Sequence, residues 1–237
     1  MSETTYHIAS LGWIDAGDRP ADERRLRWSD FSDRPFDRFG RLDLLSQYAL
    51  AAAERAGVFA LAQTPAGAAA PLVFATTVGC GQADVAFAQS MDQPGGPSPL
   101  LFPCTLPSTP VAAITLAYQL HGPSVCLMHD ASSVLGVALD EAMSLLDEMA
   151  CVQQLPGVVV VADATWAIAV VLQRQPPSAG VTWTIARESE SEHEGEVIAG
   201  AAALAHRWRA PDTGVGEFVI PLDASQSQRL VVRCCAK

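Results

Sequence analysis

Between Leu101 and Leu146 the sequence constrains the fold most strongly, because a helix, a tight turn, a strand and a second helix follow one another almost without spacers. Gly122-Pro123 predicts the turn, and the apolar run from Ser124 to Met128 predicts a short buried strand. Asp130 is placed to cap a helix that begins at Ala131. The broad apolar face of that helix indicates that it is buried in a layered α/β fold.

The first helix of this segment is expected to run from Thr105 to Leu120. Its N-cap oxygens would come from Thr105, Ser108 and Thr109, and Pro110 is tolerated in a first turn. Apolar residues including Val111 and Ile114 then recur at helical spacing. The N-terminus of the second, buried helix is a suitable place to activate a thiol or to hold an anion, since the helix dipole favours negative charge there.

Three phrases of the sequence carry a resemblance to a known family. GPSVCLMHDASSVLGVAL, which begins at Gly122, is similar to the nucleophile segment of the β-ketoacyl synthases, condensing enzymes of the thiolase superfamily. Aligned without a gap, Ser132 and Ser133 match the family's serines, and Ala131 stands where the family has its cysteine. FPCTLPSTPVAA and RLDLLSQYALAAAERAG also resemble ketosynthase phrases, so that the resemblance covers about the first three-quarters of the chain.

The resemblance implies an α/β, thiolase-like half: a mixed sheet of about five strands with buried and flanking helices, plus short C-terminal strands and a helix. Residues 1–175 would form the ketosynthase-like N-terminal half, and residues 176–237 a C-terminal extension packed on the same sheet. In ketosynthases the second half supplies two histidines that act with the cysteine. The five histidines of this chain lie in no matching phrase; they are His7, His121, His129, His193 and His206.

The resemblance also implies a role. Some ketosynthases form heterodimers with a subunit that lacks the cysteine, the chain length factor, which shapes the acyl tunnel of its active partner. A chain with Ala131 at the cysteine's place would be such a silent subunit in a fatty-acid- or polyketide-type pathway, for example one that makes polyenes. The residues expected at the acyl tunnel and interface are Phe102, Leu106, Ser108, Val111, Ile114, Gly122, Pro123 and Ser133. A homodimer, and binding of an acyl carrier protein, remain open.

Two other functions stay open from the residues themselves. An acyltransferase or thioesterase-like enzyme would use Ser132, with His129 as its base, or Cys104, with His121. A binding module would hold an acyl chain or an acyl carrier protein without chemistry. An alignment shifted by one residue would put Asp130 or Ser132 at the nucleophile position.

Composition excludes several classes of partner. The formal net charge of −11 argues against nucleic acid and against an anionic membrane surface. An acidic carrier protein would need a local basic patch, and the visible basic cluster is Arg24, Arg25 and Arg27. The longest apolar stretch, residues 157–172, is interrupted by polar residues and predicts no membrane span.

The six cysteines form no C-x-x-C pair, so we expect reduced thiols in a cytoplasmic protein. No spacing typical of metal ligands occurs, and the turn Val78-Gly79-Cys80-Gly81 lacks the third glycine of a dinucleotide site. We therefore expect neither a metal nor a cofactor.

The rest of the chain predicts alternating strands and helices. Leu155 to Ala162 is a continuous β-branched run, typical of a strand buried on both faces. Val181 to Arg187 is expected to be an edge strand. Further strands are expected at residues 6–14, 72–77, 167–172, 216–222 and 230–235, and further helices at residues 42–56, 83–90 and 197–208, with Gly57 ending the first of these.

Overall fold

The computed structural model describes residues 4–17, 23–150, 154–176, 182–189, 196–197, 200–209, 216–222 and 228–235. Within these ranges one mixed sheet of nine strands runs through the molecule, with helices packed on both of its faces. The expected α/β fold is confirmed. The expected sheet of about five strands is corrected to nine, because the strands after residue 176 extend the sheet through β1.

The elements alternate along the chain much as the sequence predicts. The strands are β1 (Tyr6–Asp15), β2 (Leu72–Thr76), β3 (Ser124–Met128), β4 (Gly157–Ala162), β5 (Trp166–Gln173), β6 (Thr182–Ser189), β7 (Glu196–Val197), β8 (Gly216–Pro221) and β9 (Gln228–Cys235). The helices are α1 (Leu44–Arg55), α2 (Val58–Ala62), α3 (Pro65–Ala68), α4 (Gly81–Met91), α5 (Thr109–Tyr118), α6 (Val134–Met149) and α7 (Ala201–Arg209).

The strand order is β3-β2-β4-β5-β1-β6-β9-β8-β7. The strand β2 is parallel to both β3 and β4, so α5 and α6 serve as the crossovers that parallel neighbours require. The strand β6 pairs with β1 on one side and β9 on the other, which corrects the expected edge strand at residues 181–187. Its partners lie far away in the sequence, so local patterning does not reveal them.

Two apolar layers enclose the sheet, and β4 shows how. Val159 and Val161 face the layer that contains α6 and α7, whereas Val158 and Val160 face the layer that contains α1 and α5. All four side chains have no exposed surface, as expected of a strand covered on both faces.

The helix α1 is held close to the sheet by its ends and by small residues. The Asp43 carboxylate accepts a hydrogen bond from the Ser46 N–H at 3.2 Å and caps the helix. Gly57, with φ of +76°, ends it as predicted. A Cβ atom placed on Gly12 of β1 would lie 2.1 Å from the carbonyl oxygen of Ala52, so this approach requires glycine.

Polar side chains join the central helix α6 to three strands. The Tyr6 hydroxyl donates to Asp147 at 2.6 Å, and Arg174 also pairs with Asp147. From β6, Arg187 pairs with Asp140 and donates to the Ser144 hydroxyl at 2.6 Å. Tyr6, near the N-terminus, and Arg187 of β6 are thereby held by the same helix.

None of the helices in the described residues reaches the length and apolarity that crossing a bilayer requires.

Candidate functional site

The segment from Gly122 to Leu146 forms the expected turn, strand and buried helix, but the helix begins at Val134 rather than at Ala131. The N–H groups of Ser133 and Val134 both donate to the Asp130 carbonyl, at 3.0 and 2.8 Å. This backbone turn takes up residues 131–133 before the helix starts. The predicted side-chain cap from Asp130 is therefore wrong: Ser133 holds the N-cap position, and no side chain caps the helix there.

Ala131 lies exposed in this turn. It borders a pocket of about 260 Å³ together with Val134 and the start of α7. Trp13 and Trp166, stacked with their ring centroids 5.7 Å apart, form another part of its wall. A methyl group has neither a proton to lose nor a lone pair, so the position aligned with the ketosynthase cysteine offers no nucleophile.

The structure pairs His129 with Ser133, not with Ser132. The Ser133 hydroxyl oxygen lies 2.8 Å from His129 Nδ1. The Ser133 side chain faces inwards and its residue is only 2% exposed, whereas Ser132 points to solvent. The serine that has a base is therefore inaccessible, and the accessible serine is not the one that His129 contacts.

The strand β3 forms one edge of the sheet, which corrects the expected buried strand. Its inner neighbour is β2, and no strand of the described chain pairs with its outer side. Ser124 and Met128 are exposed and the three residues between them are half-buried. An edge of this kind presents unpaired backbone N–H and C=O groups to solvent.

Large apolar side chains are exposed beside this edge. Met128 is 59% exposed, and its side chain lies against Gly79. The residue before Gly79 is Val78, which is 52% exposed. The Cys126 thiol lies 3.2 Å from the Pro107 carbonyl oxygen, which places the segment of Phe102 and Leu106 along the same strand. We call Val78, Phe102, Leu106 and Met128 the edge surface. Contiguous exposed apolar side chains of this kind mark interaction sites.

The helix before β3 is shorter than predicted, and its apolar side chains point into the core instead of towards an interface. Residues Phe102–Thr105 form a separate 3-10 turn, and α5 begins at Thr109. Val111 and Ile114 are 7% and 0% exposed and pack in the core layer with α1. The prediction that they line an acyl tunnel at the interface is corrected accordingly, since their side chains are taken up by this chain's own core.

Three other residues were predicted at the interface: Ser108, Gly122 and Pro123. Ser108 is exposed at the start of α5 and its side chain makes no capping hydrogen bond. Gly122 lies so close to the Ala70 carbonyl oxygen that a Cβ atom would be 2.3 Å from it. The exposed Pro123 accepts a hydrogen bond from the Leu72 N–H at 2.9 Å and thereby starts the pairing of β2 with β3.

A cavity of about 620 Å³ opens where β2 and β4 end. Its apolar wall consists of Leu42, Leu44, Leu45, Val78, Ala83, Ala86, Leu100, Leu101 and Ala164, and its polar lining includes Arg25, Arg41, Asp43, Gln82, Asp163 and Thr165. No single motif in the sequence predicts this cavity. Two features of the sequence do indicate it: a glycine-rich turn follows β2, and Asp163 follows β4. Since the carboxyl ends of neighbouring parallel strands lie at the same edge of a sheet, these two segments come together there.

The cysteines near this cavity are poor nucleophiles. Burial raises the pKa of the Cys80 thiol to about 11, with the nearby Asp43 and Asp84 carboxylates adding to the effect. Burial also raises the pKa of Cys104, which lines the cavity, and of Cys126. At neutral pH these thiols are therefore protonated, and the thiolate is the reactive form.

The structure does not bring Cys104 and His121 together. They flank opposite ends of α5, whose ten residues span about 15 Å. Within the described residues, no group of three or more His, Cys, Asp or Glu side chains is arranged to hold a metal ion.

Comparisons with known proteins show what the fold resembles. No protein-family model matches the sequence, and no curated protein is significantly similar to it. The fold is similar to that of chains in solved complexes of a ketosynthase with a chain length factor.

Three solved structures illustrate this similarity. The first is the ketosynthase ApeO in complex with its chain length factor ApeC from Xenorhabdus doucetiae, with a TM-score of 0.61 and 16% identity over 97% of this chain and 99% of that chain. The second is the ishigamide ketosynthase/chain length factor, with a TM-score of 0.60 and 10% identity over 98% and 99%. The third is AntDE:AntF, a type II PKS acyl-carrier protein in complex with its ketosynthase, with a TM-score of 0.59 and 9% identity over 99% and 100%. At these identities the shared property is the fold.

Proposed function

We propose that this chain is a chain length factor-like subunit that pairs with a catalytic ketosynthase in the cytoplasm and has no condensing chemistry of its own. The pathway would be of the polyketide or fatty-acid type, such as one that makes polyenes. The observation that carries the proposal is the open edge of β3 with its exposed apolar side chains, in a fold shared with chains of ketosynthase and chain length factor complexes.

Three features of the site support catalytic silence. Ala131 supplies no nucleophile where the resemblance places the cysteine. Ser133 has a histidine partner but is 2% exposed, so an acyl thioester has no path to it. Cys104 has a raised pKa and lies away from His121. These observations favour a silent subunit over an acyltransferase or a thioesterase.

The edge of β3 supports a protein partner. Backbone groups on its outer side are free to continue the sheet into a second subunit, as in other cases of strand addition. The edge surface supplies the apolar contacts that such a junction needs, because its four side chains are each between 46% and 59% exposed. A ketosynthase that presents its own edge strand fits both requirements.

Control of product length is proposed to lie in α4 and the 3-10 turn rather than in α5. Phe102 contacts Phe87 of α4 with ring centroids 5.7 Å apart, and Phe102 is 54% exposed. This aromatic pair presents an apolar surface at the end of the edge surface. It can meet an acyl chain held by a partner, whereas Val111 and Ile114 cannot.

The first test is complex formation with a ketosynthase from the same genome, co-expressed with this chain. We expect the two to co-elute, and we expect Met128→Lys to lose the complex because it places a charge at an apolar junction. His206→Lys is the control, since His206 is exposed on α7, a helix that packs against β1 and β5, and it does not line the pocket beside Ala131. Unchanged co-elution of Met128→Lys would contradict the proposed interface.

A second test addresses length control and silence. In the intact complex, Phe102→Trp is expected to shorten the products measured by mass spectrometry, because a larger side chain reduces the space for the growing chain. The purified chain incubated with an acyl-pantetheine thioester is expected to keep its intact mass. An acyl adduct on Ser132 or Cys104, the two nucleophiles of the enzymatic alternative, or on Ser133, would favour that alternative instead.

A further inference from the structure

We propose that the cavity at the carboxyl ends of β2 and β4 binds an anionic amphiphile, a molecule with an apolar chain and one terminal carboxylate or phosphate. The chain would occupy the apolar wall and the anion would lie on Arg25 and Arg41. The cavity is formed within this one chain, so this proposal goes beyond the pairing with a ketosynthase and does not depend on it.

The size and lining of the cavity suit a small ligand. Its volume of about 620 Å³ lies within the range of pockets that bind small molecules. Eight of its nine apolar lining residues come from the segments around α1, α4 and the 3-10 turn, and the ninth, Ala164, lies between β4 and β5. This apolar part of the lining favours an aliphatic chain.

The two carboxylates of the cavity are already used by the fold. Asp163 accepts hydrogen bonds from the Thr76 hydroxyl at 3.1 Å and from the Thr77 hydroxyl at 2.7 Å. Asp43 caps the N-terminus of α1 through the Ser46 N–H, where the helix dipole also favours its charge. Neither carboxylate therefore needs a cation from a ligand.

The two arginines remain available. Arg25 and Arg41 are exposed and line the cavity, so they lie where it opens to solvent. None of the ion pairs found among the described residues includes either of them. Arg25 is positioned by one hydrogen bond to the Gly40 carbonyl at 2.8 Å, which leaves its other donors free to bind an anion.

Guanidinium groups bind carboxylate and phosphate with similar geometry. The ligand anion can therefore come from a fatty acid or from a phosphorylated amphiphile. Probes that share one chain and differ in head group separate these sources: decanoate, decyl phosphate and the neutral 1-decanol.

The experiment is calorimetric titration of the full chain with the three probes. We expect decanoate or decyl phosphate to bind at least tenfold more tightly than 1-decanol, and the tighter of the two identifies the head group. The double variant R25Q/R41Q is expected to weaken binding of the anions about tenfold and to leave 1-decanol unchanged. R27Q is the matched control, because Arg27 is exposed and lines neither this cavity nor the second one beside α5.

A second set of measurements tests whether the probes bind inside the cavity rather than to charges on the protein surface. Ala86→Trp fills the cavity and is expected to weaken binding of all three probes, and bound decanoate is expected to protect Cys104 from alkylation. Binding of 1-decanol as tight as that of both anions, no loss in R25Q/R41Q, or no binding of any probe would overturn the proposal. None of these outcomes would affect co-elution with a ketosynthase.

Discussion

At the scale of single residues, Gly12 sets the distance between β1 and α1. A side chain there would collide with backbone atoms of Ala52 and Ala56, which cannot move aside as a flexible side chain would. We expect Gly12→Ala to lower the free energy of unfolding by about 3 kcal/mol, at the upper end of overpacking effects. Urea denaturation measures this as a shift in the midpoint at constant slope.

Gly40→Ala is the matched control for Gly12→Ala. Gly40 has no atom within 4 Å of a placed Cβ and its φ is not positive. Its variant should unfold at the same urea concentration as the unsubstituted protein. Equal midpoints for the two variants would show that α1 does not approach β1 as closely as described.

Because the Cys80 thiol is buried, the free energy of unfolding should decrease at alkaline pH. Its pKa is raised from 9.0 to about 11 in the folded chain, since burial disfavours the thiolate. A raised pKa contributes stability that is complete below pH 9 and is lost as the pH rises towards 11. Tyr6, whose pKa burial raises to about 12, adds to the same trend.

We therefore expect the urea midpoint to fall between pH 9 and pH 11, and to fall less steeply in Cys80→Ala. The comparison uses the slopes against pH, so a constant loss of stability in the variant does not affect it. Parallel slopes for the two proteins would mean that Cys80 is not buried as its neutral form.

At the scale of elements, the polar network on α6 joins β1, β5 and β6. Asp147 accepts a hydrogen bond from the Tyr6 hydroxyl and pairs with Arg174, which directly follows β5, and with Arg187 of β6. We expect Asp147→Asn to destabilise the fold by ~1 kcal/mol, a modest value because the pairs are partly exposed. Urea denaturation again provides the measurement.

Glu141→Gln serves as the control for Asp147→Asn, because it removes the same charge from the same helix, and none of the described ion pairs includes Glu141. Its midpoint should stay unchanged at low salt. If Glu141→Gln lowered the free energy of unfolding as much as Asp147→Asn, the effect of Asp147→Asn would come from the net charge of the helix and not from the hydrogen bonds and ion pairs of Asp147.

Elements with strong local signals were predictable from the sequence. The β-branched run of β4 predicted a fully buried strand, and Gly122-Pro123 predicted the turn before β3. Asp130 shows where such reasoning fails. Its residue type suits an N-cap, but its backbone carbonyl closes a turn that delays α6 by three residues, and a competition between two hydrogen-bonding patterns is not visible in residue types.

Long-range pairing was the other limit. The strand β6 was predicted at an edge and lies inside the sheet, whereas β3 was predicted as buried and lies at the edge. β3 (SVCLM) is mainly apolar, which suggests an interior strand, whereas β6 (TWTIARES) has three apolar residues in eight, which suggests an edge strand. The pattern therefore favours the wrong place for each strand, and the exposure of Met128 follows from the edge position of β3.

At the scale of the whole molecule, we propose that residues 1–175 and the extension 176–237 fold together. Leu230 and Val232 of β9 belong to the same core cluster as α6. Gly136 of α6 lies so close to the Pro221 carbonyl oxygen of β8 that a Cβ would be 2.2 Å from it. The extension therefore covers a face of α6 that would otherwise meet water.

A chain truncated after residue 175 is expected to lose its near-ultraviolet circular dichroism and to unfold without a sharp transition, because the exposed apolar layer prevents specific packing. The full chain should unfold in a single step. A truncated chain that keeps a cooperative transition would show that residues 1–175 fold independently.

The outer side of β3 also has a consequence for how the protein must be produced. Unsatisfied backbone groups beside apolar side chains recruit further copies indiscriminately, which is how many proteins begin to aggregate. Copies of this chain with an uncovered β3 edge are therefore expected to aggregate more readily as their concentration rises. If the proposed pairing with a ketosynthase holds, co-expression of the two chains should raise the yield of the dissolved protein.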